Sequence, residues 1–67
     1  MELKEFKKKW KERSDVYLDH TVGVILMDRT QLRADDYKFD RKGILIFFYL
    51  NGKWSVCTKF NNVKEVN

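Results

Sequence analysis

The chain has 67 residues, which is enough for one domain, 1–67, and too few for two. Its composition, 43% hydrophobic and 15% aromatic, excludes a disordered chain, because such residues bury enough apolar surface to offset the entropy of ordering. One cysteine and one histidine exclude an internal disulfide and the ligand cluster of a zinc site, so we expect neither a metal nor a cofactor. A core of this size supplies about 3 to 5 kcal/mol, which leaves a partner chain or a homo-oligomer open.

The charge is unevenly distributed. Six basic and three acidic residues lie within positions 1–14, so this segment carries +3 of the net charge of +4. A basic segment on a nearly neutral body favours nucleic acid, an anionic membrane surface or an acidic protein as a partner. So short a segment offers little apolar area to a membrane, and the longest apolar run, Ile44–Leu50, is too short to span one. We therefore expect a cytoplasmic protein without membrane contact.

The first predicted element is an amphipathic helix over residues 1–14. Leu3, Phe6 and Trp10 fall at spacings of three and four residues, which places three bulky side chains on one stripe. Lysines occupy the other faces. Ser14 and Asp15 end the pattern, so the stripe is expected to pack inward and the lysines to face solvent.

Residues 16–66 predict an antiparallel β-meander, because β-branched and aromatic residues recur between turn-forming residues. Leu32 and Ala34 alternate in one phase and Tyr37 and Phe39 in the other, so a β-bulge at Asp35-Asp36 would keep all four side chains on one face of the strand. The predicted strands are a first long strand or bent pair made of 16–18 and 22–27, and then 31–39, 44–50, 53–59 and 63–66. With the helix, they predict an α+β fold, an N-terminal amphipathic helix packed on a strongly bent antiparallel meander or small barrel of four to five strands.

A hairpin with Asn51-Gly52 at its turn is the clearest single prediction. Both residues tolerate the positive φ of a two-residue type I′ turn. That turn pairs Tyr49 with Trp54, Phe47 with Val56, Leu45 with Thr58, Phe48 with Ser55 and Ile46 with Cys57. Strand 44–50 is then apolar on both faces and strand 53–59 on only one. The stripe of the helix, or a partner subunit, must cover the second face of strand 44–50.

No catalytic site is expected. His20 has the carboxylate Asp19 as a sequence neighbour, which does not define the geometry of a general base. Cys57 has Lys59 two residues along the strand, and a half-buried side chain under the helix explains this cysteine equally well. The acidic residues of the turns lack the spacing of a calcium loop. We therefore predict that the protein is not an enzyme.

The leading interpretation is a non-enzymatic module that binds nucleic acid. Lysines of the helix would neutralise phosphates, and aromatic side chains interleaved with lysines on the strands would stack on bases. These strand residues are Tyr37-Lys38-Phe39, Tyr49, Lys53-Trp54 and Lys59-Phe60, of which Tyr49 and Trp54, next to the turn, are expected to be the most exposed. The predicted contact residues are Lys4, Lys7, Lys8, Lys11, Lys53, Trp54, Lys59, Asn61 and Asn62. The alternative is a protein-interaction or inhibitor module that acts through an exposed sheet edge or through Trp10 and Trp54, as a homo-oligomer or with another chain. A flat aromatic face with lysines favours the first interpretation, and an apolar patch ringed by mixed charge favours the second.

The order of a short helix, a meander and a short closing strand resembles the Sm-like and Src-homology-3-like small barrels. Residues 59–66, Lys-Phe-Asn-Asn-Val-Lys-Glu-Val, are similar to the strand, tight loop and closing strand at the end of an Sm-like domain, and Phe39-Asp40 resembles the loop that holds a base in that family. The resemblance implies a ring of subunits joined edge to edge through the fourth and fifth strands. It also implies RNA bound at the loops, through Asp40, Asn61 and Asn62.

Overall fold

One α-helix and six β-strands make up the protein. A computed structural model describes all of residues 1–67. A single turn of 3-10 helix, Phe60–Asn62, precedes the last strand. The elements are α1 (Leu3–Ser14), β1 (Val22–Leu26), β2 (Gln31–Ala34), β3 (Asp36–Phe39), β4 (Leu45–Leu50), β5 (Lys53–Lys59) and β6 (Val63–Val66). The predicted α+β class is confirmed.

The strands form two antiparallel sheets of three strands each, in the orders β2-β1-β6 and β3-β4-β5. Only Asp35 separates β2 from β3, so the chain passes from one sheet to the other at this residue. The predicted number of four to five strands is too low, because Asp35 divides one predicted strand into two. The sheets are not closed into a barrel. β6 pairs with β1, which brings the last strand beside the first.

The core contains side chains from both sheets and from α1. Its buried members are Phe6, Trp10, Val22, Val24, Leu26, Ala34, Ile46, Phe48, Val63 and Val66. The ring of Phe6 meets that of Tyr37 edge-on, with 5.0 Å between centroids, and Trp10 stacks on Phe48 at 5.9 Å. The predicted stripe is confirmed for Phe6 and Trp10. It is wrong for Leu3, which is 45% exposed, because Met1 rather than Leu3 packs against the core at this end of the helix.

The predicted strand at residues 16–18 is absent. Turns link α1 to β1, and in them Val16 N–H donates to Arg13 O at 3.1 Å and His20 N–H donates to Tyr17 O at 3.0 Å. These hydrogen bonds occupy backbone groups that a strand would need for pairing. Leu18 is left fully exposed. The β-region therefore begins at Val22 and not at residue 16.

The β4–β5 hairpin turns at Asn51-Gly52, as predicted. The two residues have φ values of 53° and 80°, the positive values that a type I′ turn requires. Asp35 supports the turn from the sheet junction, because its Oδ2 accepts a hydrogen bond from Asn51 N–H at 3.1 Å. Its own N–H donates to Tyr49 O at 2.9 Å. Asp35 therefore ties the junction of the two sheets to the hairpin.

Beyond the turn, the register of the hairpin differs from the prediction. Tyr49 pairs with Trp54 as predicted, but Phe48 then pairs with Val56 instead of Ser55. Ser55 is the extra residue of a β-bulge, and its hydroxyl donates to Phe48 O at 3.4 Å. Because a shift of one residue exchanges the two faces of a strand, the bulge turns Val56 toward the core. The predicted pairs farther from the turn are therefore wrong.

Replacing Phe6 with alanine should unfold the domain. Phe6 is 0% exposed, and such a core truncation costs about 3 to 5 kcal/mol, which equals the roughly 3 to 5 kcal/mol that a core of this size supplies. Leu3→Ala, at an exposed position of the same helix, should change the free energy of unfolding by less than about 0.5 kcal/mol. Circular dichroism during thermal and urea denaturation measures both variants. Equal losses in the two would contradict the packing of α1.

Candidate functional site

One side of sheet β3-β4-β5 faces away from α1 and the core. Ile46 and Phe48 of β4 point inward and are 0% exposed, so alternation along the strand directs Leu45, Phe47 and Tyr49 outward. Directly paired residues of neighbouring strands share a face. This side, which we name the outer face, carries Asp36, Lys38, Leu45, Phe47, Tyr49, Trp54, Cys57 and Lys59.

Three aromatic side chains share the outer face. Tyr49 is paired with Trp54 across the two strands. Phe47 precedes Tyr49 by two residues, which separates them by about 6.6 Å along β4. Trp54 is 64% exposed, and the other two are half-buried. The bulge at Ser55 places Cys57 beside Phe47, whereas the regular register would place Val56 there.

Lysines flank the three rings. Lys38 is paired with Phe47, and its Nζ lies 5.4 Å from the centroid of the Tyr49 ring, within the range of a cation–π interaction. Lys59 lies at the end of β5 farther from the turn. Asp36 is the acidic residue of this face, and its Oδ1 accepts a hydrogen bond from the next backbone N–H at 2.8 Å. The outer face thus combines aromatic rings with a positive net charge.

The residues predicted to contact nucleic acid lie on separate surfaces. Trp54 and Lys59 belong to the outer face. Lys53 pairs with Leu50, so it points to the opposite side of the hairpin tip. The helix lysines are exposed, but α1 packs against the inward side of sheet β3-β4-β5 through Trp10. The sheet therefore separates the outer face from Lys4, Lys7, Lys8 and Lys11.

The loop residues singled out by the Sm-like resemblance make internal hydrogen bonds. Asn62 Nδ2–H donates to Thr58 Oγ1 at 3.0 Å, and Asn62 O accepts from Met27 N–H at 2.8 Å. Asp40 Oδ1 accepts from two backbone N–H groups after its own turn, at 2.8 and 3.1 Å. Asn61 is exposed. In this structure Asp40 and Asn62 hold strands and turns in place.

The interleaved aromatics and lysines that predicted base stacking include Lys38, Tyr49 and Trp54, which the structure places on the outer face, but they did not include Phe47. The apolar residues on both faces of β4 indicated that one set needs a cover, and the structure shows that Ile46 and Phe48 are the covered set. The bulge that places Cys57 beside Phe47 has no signature in the sequence.

Two alternatives that the sequence left open are wrong. Trp10, the surface anchor in the protein-interaction alternative, is only 7% exposed, and Cys57, for which a half-buried place under the helix was one explanation, is exposed on the outer face.

Metal binding, the single histidine and membrane insertion were also considered in the sequence, and the structure bears on each. No three side chains of His, Cys, Asp or Glu come together in a way that could hold a metal ion. His20 has a φ of 57° and its Nδ1–H donates to Ser14 O at 2.8 Å, so this histidine closes the carboxyl end of α1. No helix has the length and apolar character needed to cross a membrane.

A cluster of polar side chains, separate from the outer face, lies at sheet β2-β1-β6. Arg33 Nε donates to Thr21 Oγ1 at 3.1 Å, and Arg33 Nη2 donates to Thr21 Oγ1 at 2.8 Å and to Thr21 O at 3.1 Å. Thr21 in turn donates to Asp19 Oδ1, from its hydroxyl at 2.9 Å and from its N–H at 3.1 Å. The guanidinium carbon lies 4.9 Å from the centroid of the Tyr17 ring. A groove of about 350 Å³ beside Arg33 includes Gly23 in its lining.

The chain matches no protein-family model, no curated protein and no solved structure. The resemblance to Sm-like and Src-homology-3-like domains therefore stays a prediction.

Acid should destabilise the protein through two aspartates. Hydrogen bonds from the backbone and then the hydroxyl of Thr21 hold the pKa of Asp19 below its usual 3.8, and the hydroxyl and backbone N–H of Thr30 lower the pKa of Asp28 in the same way. A carboxylate whose pKa is lower in the folded state contributes stability above its unfolded pKa, and that contribution is lost as the pH falls through the folded pKa. Stability should therefore decrease as the pH falls below 3.8.

The matched variant for this prediction is Asp19→Asn with Asp28→Asn, which keeps an oxygen acceptor at both positions and removes the titrating groups. Urea denaturation at a series of pH values should give a shallower acid limb for this double variant than for the wild type. Identical slopes below pH 3.8 would contradict the assignment to Asp19 and Asp28.

Proposed function

We propose that the protein is a non-enzymatic module that binds single-stranded nucleic acid on its outer face. The observation that carries the proposal is the 64% exposed Trp54, which is paired with Tyr49 on the outer face, with Phe47 two residues away along β4. The β-bulge at Ser55 turns Val56 inward and leaves Cys57 beside Phe47. The result is a surface of exposed and half-buried rings on which unpaired bases can stack.

Spacing favours a single strand over a duplex. Phe47 and Tyr49 lie about 6.6 Å apart along β4, roughly twice the 3.4 Å between stacked bases of a duplex strand. Neighbouring bases that stack on these rings must therefore separate from each other, which an unpaired strand does readily. Each base that stacks on an aromatic side chain contributes about 1 to 3 kcal/mol, largely independently of its identity.

Charge supports the same partner. Lys38 and Lys59 lie at the margins of the rings, and the exposed Arg41 and Lys42 form the turn between β3 and β4. These cations can follow a phosphate backbone past the stacked bases. The helix lysines lie across the sheet from the outer face, so they raise the local concentration of nucleic acid through their field and do not contact the bound strand.

A protein partner is the second candidate, and a different surface favours it. Val16, Tyr17 and Leu18 are 61%, 52% and 102% exposed in the turns between α1 and β1. Consecutive exposed apolar side chains of this kind are typical of protein-interaction sites. A second copy of the chain or another protein that uses this segment would leave the outer face free, so variants at the two surfaces distinguish the candidates.

Trp54→Ala should weaken binding to a fluorescently labelled single-stranded oligonucleotide by about 5- to 150-fold, the equivalent of one lost stacking interaction. Tyr17→Ala is the matched control, because Tyr17 is 52% exposed against 64% for Trp54 and lies away from the outer face. It should change the affinity by less than about twofold. Fluorescence anisotropy measures both variants. Equal losses in the two, or no binding by the wild type to DNA or RNA strands, would contradict the proposal.

The salt dependence of the affinity for a single strand should depend on the lysines of the outer face. Each phosphate of a single strand that a protein neutralises adds about −0.7 to the slope of log affinity against log salt concentration, so Lys38→Gln with Lys59→Gln should reduce the slope by about 1.4. Lys7→Gln with Lys8→Gln removes the same charge from α1 and should leave the slope nearly unchanged. A larger effect of the helix variant would instead assign phosphate contact to α1.

A further inference from the structure

The groove on sheet β2-β1-β6 has a fixed cation at one end. Three hydrogen bonds to Thr21 hold Arg33 Nε and Nη2, and the guanidinium carbon lies over the Tyr17 ring, 4.9 Å from its centroid. Asp19 fixes Thr21 through two further hydrogen bonds. An arginine held in this way loses little conformational entropy when it binds a ligand, because its side chain is already ordered.

One nitrogen of this guanidinium is left for a ligand. Nη1 makes none of the three hydrogen bonds to Thr21. It lies over Gly23, since a Cβ built on this glycine would be 3.5 Å from it. Because Gly23 has no side chain, a ligand can approach Nη1 across this residue without obstruction. Guanidinium N–H groups with this freedom bind carboxylate and phosphate oxygens strongly.

The rest of the groove suits a small organic molecule. Ile25 and Leu32 supply apolar surface, and Gln31 and Asn67 carry side-chain amides. The backbone oxygen of Asn67 already accepts a hydrogen bond from Gly23 N–H at 3.0 Å, so the side-chain amide is the group of Asn67 that a ligand can reach. The volume of about 350 Å³ lies at the lower end of the range of small-molecule sites.

We propose that this groove binds a small oxyanion, a carboxylate or phosphate group on a compact apolar body, with Arg33 Nη1 donating to the anion and Ile25 contacting the body. The site is independent of the outer face, because it belongs to the other sheet. The groove is also separate from the exposed side chains of Val16 and Leu18 in the turns between α1 and β1. Of that exposed segment, Tyr17 is the residue that contacts Arg33.

Titration of the ¹⁵N-labelled full chain at constant ionic strength tests the proposal. Sodium benzoate and phenyl phosphate are the probes, and benzamide is the uncharged counterpart of benzoate. We expect saturable shifts of the Gly23 amide and the Arg33 Nε–H resonances with at least one of the two anions. Saturation by benzoate identifies a carboxylate site, and saturation by phenyl phosphate alone identifies a phosphate site. Benzamide should bind at least about tenfold more weakly, the loss expected for one charge-assisted hydrogen bond.

Two variants locate the anion. Gly23→Ala adds a Cβ at ordinary contact distance from Arg33 Nη1, so it should preserve the fold and weaken binding. Arg33→Gln should abolish the saturable shifts while leaving the affinity for oligonucleotides within about twofold, which separates this site from the outer face. Absence of saturation by either anion, equal binding of benzamide, or unchanged binding by Arg33→Gln would overturn the proposal. Thermal denaturation confirms that each variant is folded.

Discussion

The stacking of Trp10 on Phe48 is the contact on which the rest of the structure depends. β4 has apolar side chains on both faces, and α1 can cover only one of them. With Phe48 stacked on Trp10 at 5.9 Å and 0% exposed, the side chains on the other face of β4 must point outward. The sequence suggests that both apolar faces of β4 need a cover. In the structure the second face, with Phe47 and Tyr49, instead forms part of the outer face.

The bulge at Ser55 adapts β5 to this constraint. It lets Val56 join Phe48 on the inward side while Trp54 stays opposite Tyr49 on the outward side. A regular strand would have placed Trp54 and Val56 on the same face. The hairpin thus contributes an aliphatic residue to the core and a tryptophan to the surface within three positions of the chain.

The strongest local signals in the sequence predicted their structures. Asn51-Gly52 predicted the turn because few residue pairs accept positive φ twice, and the spacing of Phe6 and Trp10 predicted the buried stripe. The bulge could not be predicted, because Ser55 fits a regular strand as well as a bulged one and only the competition between Val56 and Trp54 for the core decides between them. The β-propensity of Val16 and Tyr17 was overridden by the turn hydrogen bonds that end α1. The positions of Cys57 and Lys59 on the outer face were not predicted for the same reason, since they follow from the bulged register.

The reactivity of Cys57 tests the register most directly. In the bulged hairpin Cys57 pairs with Phe47 and is exposed, whereas in the regular hairpin it would pair with Ile46 and lie under the helix. We expect a thiol reagent to label the native protein within about tenfold of the rate for the chain unfolded in guanidinium chloride, because an exposed group needs no opening of the fold. Protection by a factor of about one hundred or more, as expected if labelling had to await unfolding of a domain stable by about 3 to 5 kcal/mol, would contradict it.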